Sequence, residues 1–162
     1  CGGFDADFFA HMEEIDLCWR FHRLGYRVTF IPQSTVYHVG GGALPYNSPY
    51  KTYLNFRNSI YLLYKNLPDR NFSSLMFFRK ILDGVAALFF LLRGDVKNFS
   101  SVWKAHRDAA RSRGRLMEKR EIIKASGNNE QSGLILNKSI VFEFYIKGHK
   151  TYNSMNPKFR SL

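Results

Sequence analysis

The chain has 162 residues, 45% of them hydrophobic and 16% aromatic, with a formal net charge of +11. That supplies one core of ordinary size, and the surplus of positive charge points to an anionic partner. Its two cysteines, Cys1 and Cys18, exclude a disulfide framework and offer no zinc spacing.

Between residues 8 and 24 the apolar side chains Phe8, Met12, Ile15 and Trp19 recur three and four positions apart, which predicts a helix. Asp5 and Asp7 precede it as candidate caps, and Gly25 follows where a left-handed residue ends a helix. Glu13 and Asp16 share one face of this helix, while Glu14 points about 100° away. Cys18 lies among apolar neighbours and reads as a buried, reduced thiol, which fits a cytoplasmic address.

The period then changes to two. Residues 26–31 alternate as a strand ending at Pro32, a turn covers 32–34, and 35–39 forms a second extended run that carries His38 into the glycines 40–42. From 49 to 67 the helical period returns through Tyr53, Phe56, Ile60, Leu63 and Tyr64. Residues 72–92 keep that rhythm for over five turns. Arg79, Lys80 and Asp83 interrupt them, and the uncharged run 84–92 falls short of the ~20 residues a membrane span needs. A helix lying in the membrane interface and a buried bundle helix both remain open.

Residues 96–110 give an apolar stripe of Val96, Phe99, Trp103, His106 and Ala110, with Lys97, Lys104, Arg107 and Arg111 on another side. Basic residues continue to Arg120, a pattern suited either to anionic lipid headgroups or to a solvated face. Residues 125–133 form a polar linker. Residues 140–147 alternate as a strand that needs a sheet edge or another chain as partner, and a loose tail follows from 148. The resulting divisions are 1–48, 49–124 and 125–162.

Several strings together carry a resemblance: GGFDADFF, MEEIDLCWR, GYRVTFIP, VYHVGG and then KTYLNFRNSIYLLYKNLP. In this order and spacing the chain, over roughly residues 1–110, resembles the C-terminal half of the catalytic domain of family 2 inverting glycosyltransferases of the GT-A fold, in particular rhamnosyltransferase-like bacterial members. The resemblance implies an α/β fold, a GT-A fragment of helix and short strands, followed by a mainly helical extension and the C-terminal strand.

It also implies roles. The second acid of the family's Glu-Asp pair, the general base, falls on Glu14; here the pair reads Glu13-Glu14, one methylene longer, so Asp16 and Glu13 stand as alternatives. His38 corresponds to a residue that helps hold a divalent cation in some members, and Gly3, Phe4 and Asp5 to the acceptor-side loop. Arg20, one turn on, is placed to orient the acids. The expected partners are a nucleotide-sugar donor, a glycan or lipid-linked acceptor, and an anionic membrane surface on the inner face of the plasma membrane. The C-terminal strand would support an oligomer. The expected cofactor is Mg²⁺ or Mn²⁺, held mostly by an N-terminal half that the sequence lacks, since Asp5-Ala6-Asp7 precedes a helix rather than ending a strand.

Each feature also has a plainer explanation. Acids in a first helical turn complement the helix dipole, and a histidine at a strand end is commonly a hydrogen-bonded structural residue. The rival functions are a basic nucleic-acid-binding module built on residues 103–120 and a non-catalytic membrane-docking piece. Nucleic acid is the weaker partner, because that reading leaves the acidic cluster without a role.

Overall fold

The computed structural model describes residues 1–37, 48–127 and 138–155. Among these every regular element is a helix, and no strand is present. The chain forms two compact units, Cys1–Asn129 and Glu130–Leu162.

In the first unit, α1 (Glu13–Arg23), α2 (Pro49–Asn66), α3 (Asp69–Leu92), α4 (Val96–Arg111) and α5 (Arg113–Ser126) are arranged around α2. The local sequence explains the limits of these helices. Ser48 caps α2 by accepting from the Lys51 amide at 3.1 Å, and Pro49 occupies the first turn, where no amide hydrogen is needed. Leu67 ends α2 in an extended conformation because Pro68 follows it. Asp95 caps α4 by accepting from the Asn98 amide at 3.0 Å, and Ser112 is the hinge between α4 and α5.

Helix α2 contacts α1, α3, α4 and α5, so it is buried on more than one side. Its Ile60, Tyr61 and Leu62 join Phe8, Leu67, Met76, Ala109 and Leu116 in the main core, and Tyr53 and Leu54 pack with Ala105 in a second cluster. The approach of α5 to α1 is tight: a Cβ on Gly127 would lie 2.5 Å from the Arg23 carbonyl oxygen.

Three expectations are corrected. The α/β architecture fails at residues 26–31, which stay irregular and exposed because nothing among the described residues supplies the ladder partner a strand requires. Residues 35–37 are likewise irregular, and His38, Val39 and the glycines 40–42 lie outside the described residues. In the second unit the expected C-terminal strand is a helix, α6 (Ile140–Tyr145), followed by α7 (Tyr152–Met155), and with the strand goes the edge proposed for an oligomer. Ser139 caps α6, and Glu143 pairs with Lys147 one turn on at 2.8 Å. The alternation that suggested a strand marks no buried face, since Ile140, Phe142, Phe144 and Ile146 are all exposed.

The first helix also starts later than its apolar spacing suggests. Residues 8–12 form a loop in which Phe9, His11 and Met12 adopt positive φ, and Gly25 ends α1 at φ +84°. Helix α3 is an edge helix that packs mainly on α4, with only Met76 and Asp83 buried.

This packing sets an expected contrast. Leu54→Ala, at a fully buried position, lowers the unfolding free energy of the first unit by about 2–5 kcal/mol. Phe78→Ala, on the open side of α3, changes it by no more than about 0.5 kcal/mol. Urea unfolding measures both, and equal losses would contradict the edge placement of α3.

Candidate functional site

The loop before α1 is shaped by side chains of α2. The Asn58 amide nitrogen lies 2.7 Å from the carbonyl oxygens of Phe8 and Ala10 and 2.9 Å from that of His11. Arg57 donates to the carbonyls of Asp7 and Phe8 at 2.9 and 3.2 Å. These bonds satisfy carbonyls that a helix through residues 8–12 would have used internally, and they offset the strain of three non-glycine residues at positive φ. Phe8 is driven into the core, edge-on to Tyr61.

Beneath the loop lies a network of charges. Asp16 is completely buried, with Arg20 Nε 2.9 Å from Oδ2 and both Lys65 Nζ, at 2.9 Å, and Asn66 Nδ2, at 2.8 Å, on Oδ1. Lys65, itself 2% exposed, reaches across to Asp5 Oδ2 at 2.6 Å. From α5, Lys119 bonds both oxygens of Asp5, at 2.7 and 2.9 Å, and Asp7 at 2.7 Å, while Arg115 sits 3.1 Å from Asp7. Arg20 further donates to the carbonyls of Cys1 and Gly3. Four cations, Arg20, Lys65, Arg115 and Lys119, thus face three carboxylates, Asp5, Asp7 and Asp16.

The electrostatics follow from this arrangement. Burial pushes the Asp5 carboxyl up, but hydrogen bonds from Lys119, Lys65 and the Asp7 amide outweigh it and hold the group well below the usual carboxylate range. Burial likewise depresses the Lys119 ammonium, and its bonds to Asp5 and Asp7 reverse the sign and raise it.

A cavity of about 310 Å³ opens beside the network, walled by Gly3, Phe4, Asp5, Arg20, Lys65 and Lys119. Gly3, Phe4 and Asp5 therefore form one wall, with Arg20 behind them. Asp16 is sealed, both oxygens engaged. Glu14 is exposed on the first turn of α1, and neither it nor Glu13 lines this cavity. Close to Glu14 in sequence, Glu13 Oε2 and His11 Nε2 are buried without a hydrogen-bond partner, which leaves polar capacity at the front of α1. His38 lies outside the described residues.

The described residues do not fit a divalent cation. No three His, Cys, Asp or Glu side chains among them lie together in a suitable group, and Asp5 and Asp7 share the ammonium of Lys119. Sequence reasoning passed over Asn58, Lys65 and Asn66. The signal was present: Asn58 and Lys65 stand seven residues apart, in line with buried Leu54 and Tyr61, on a face that should have been apolar. No family model, curated protein or solved structure matches the chain.

Two outcomes test this network. Asp16→Ala leaves Lys65 and Arg20 buried with less counter-charge and lowers stability by about 3–5 kcal/mol in chemical denaturation. The pH profile has two limbs. Asp5 has a folded pKa below its unfolded value of 3.8, so its contribution is present above that pH and is lost as pH falls from there. Lys119 has a folded pKa above its unfolded 10.5, so its contribution holds below that pH and is lost as pH rises through the raised value. Unfolding measured against pH should give a plateau between these limbs, with Asp5→Asn flattening the acid limb and Lys119→Met the alkaline one.

Proposed function

We propose that this chain is the acceptor-side portion of an inverting glycosyltransferase of the family 2 type, moving a sugar from a nucleotide-sugar donor to a glycan or lipid-linked acceptor. The observation that carries the reading is the ordered set of strings from GGFDADFF to KTYLNFRNSIYLLYKNLP. The geometry agrees with it in one respect. The residues matched to the acceptor-side loop, Gly3, Phe4 and Asp5, wall a cavity whose other sides carry Arg20, Lys65 and Lys119, a polar lining suited to hydroxyl-rich or anionic ligands.

In this reading the acids divide their work by exposure. Asp16, enclosed by Arg20, Lys65 and Asn66, holds the scaffold. Glu14, exposed on the first turn of α1 and outside the lining of that cavity, acts as general base toward an acceptor hydroxyl that extends beyond the cavity wall. Its carboxylate takes the proton of the acceptor hydroxyl as that oxygen bonds to the anomeric carbon and the bond from that carbon to the diphosphate oxygen breaks. The nucleoside diphosphate departs from the opposite face, so configuration inverts. Because the described residues build no cation site, no step is assigned to a metal here. The one Asp-x-Asp string, Asp5-Ala6-Asp7, is committed to Lys119 and is given no part in holding the nucleotide.

The protein, supplied with nucleotide sugars and saccharide acceptors, should release nucleoside diphosphate and form an inverted glycoside. Glu14→Gln should reduce turnover by about 10²–10⁴-fold and leave the unfolding midpoint unchanged. Full activity in that variant would remove Glu14 as the base. Failure to release nucleoside diphosphate from any nucleotide sugar would remove the transferase reading itself.

A further inference from the structure

Helix α3 turns two of its charges, Arg79 and Asp83, toward α4. Asp83 is buried against α4, where its Oδ2 meets His106 Nε2 at 2.9 Å, and Arg79 Nε forms an ion pair with its Oδ1 at 2.7 Å. Arg79 also lies over the Phe56 ring, 5.7 Å from its centroid. With these two charges engaged on the packed side, the opposite side carries Phe78, Ile81, Leu82, Val85, Phe89 and Leu92, all exposed. At 3.6 residues per turn these positions, with Phe77 and Leu88, cover an arc of about 140° with no charge in it over residues 77–92, about 24 Å of helix.

The interruption read from the sequence is thus absent from the outer face. No helix among the described residues is long and apolar enough to cross a membrane, so this surface suits contact with a bilayer from one side. An apolar patch of this size on a folded unit marks an interaction site.

The charges around the face choose the partner. On α3 and at its C-terminal end Arg70, Lys80 and Arg93 are exposed, whereas Asp69 is paired with Arg120 and Lys124, and Asp95 accepts from Asn98 as the cap of α4. Arg93 lies over the Phe89 ring, 4.1 Å from its centroid, at the end of the apolar arc, as expected for a long side chain whose stem follows apolar surface while its head reaches phosphate. Trp103, 70% exposed on α4, adds a residue type enriched at membrane interfaces.

We propose that the outward face of α3 docks on an anionic membrane, with Phe78, Val85, Phe89 and their neighbours in the acyl boundary and Lys80 and Arg93 among the lipid phosphates. A second copy of the chain would cover the same apolar arc, but a self-complementary interface would bring two sets of these cations together, which favours the lipid surface. The surface is separate from the carboxylate network, so its test leaves the transferase reading untouched.

The test is flotation of the chain with vesicles of phosphatidylcholine containing one quarter phosphatidylglycerol, set against pure phosphatidylcholine. Capture by the anionic vesicles, weakened by added salt, is expected. Phe78→Ser with Phe89→Ser should lower affinity by at least about a hundredfold, and Lys80→Glu with Arg93→Glu by more than about tenfold. All four side chains are exposed, so circular dichroism and the unfolding midpoint should stay unchanged. Lack of capture by anionic vesicles overturns the proposal, as does capture indifferent to the phenylalanine pair. Self-association in sedimentation that the same pair disperses, without vesicle capture, assigns the face to a second copy. RNA binding without vesicle capture assigns the charge to nucleic acid.

Discussion

The contact on which the first unit depends is the buried ammonium of Lys65, held between Asp16 of α1 and Asp5 of the N-terminal loop. A charge taken out of water costs several kcal/mol unless its partners are close and well placed, and here each partner is itself held by another group. Asp16 is shared with Arg20 and Asn66, and Asp5 with Lys119. Withdrawing any one of these groups leaves the next with an uncompensated charge, so the loop, α1, α2 and α5 hold one another in place. The network specifies one arrangement of four segments that apolar contacts alone would allow to slide.

Helical period was the part of the fold legible in the sequence. Residues 49–66, 69–92 and 96–111 carry apolar spacing that needs no tertiary information, and Pro68 and Asp95 mark their limits. Extended structure was not legible, because alternation over six residues describes a strand only when another strand receives its hydrogen bonds. At 26–31 no such partner stands among the described residues, and at 140–145 the Ser139 cap and the Glu143–Lys147 pair favour a helix. The early start expected for α1 failed for a related reason. The carbonyls of Phe8, Ala10 and His11 are captured by Asn58, some fifty residues away, and no local pattern reports a bond of that span.

The same limit applies to the candidate site. The acids at 13, 14 and 16 were visible as a cluster, and a helical wheel separates Glu14 from the other two. What the wheel lacks is the identity of the facing side. Lys119 joins Asp5 across 114 positions, and only the packing of α5 on α2 reveals that the Asp-x-Asp string is neutralised by lysine. Composition misled at α3 in the opposite direction: three charges in its apolar stretch suggested an interrupted surface, yet two of them turn inward to each other and to His106.

Burial therefore decides what each charged group can do, and it acts in opposite ways at the two ends of the unit. At α1 it removes Asp16 from solvent and fixes it as scaffold, whereas Glu14, about 160° around the helix from it, stays exposed. At α3 the packing on α4 buries Asp83 and engages Arg79 with it, and the helix then shows water an apolar surface flanked by Lys80 and Arg93. In both places a short local sequence holds charges for two purposes, and the neighbouring helix determines which of them stay available: α2 for the acids, α4 for the apolar face.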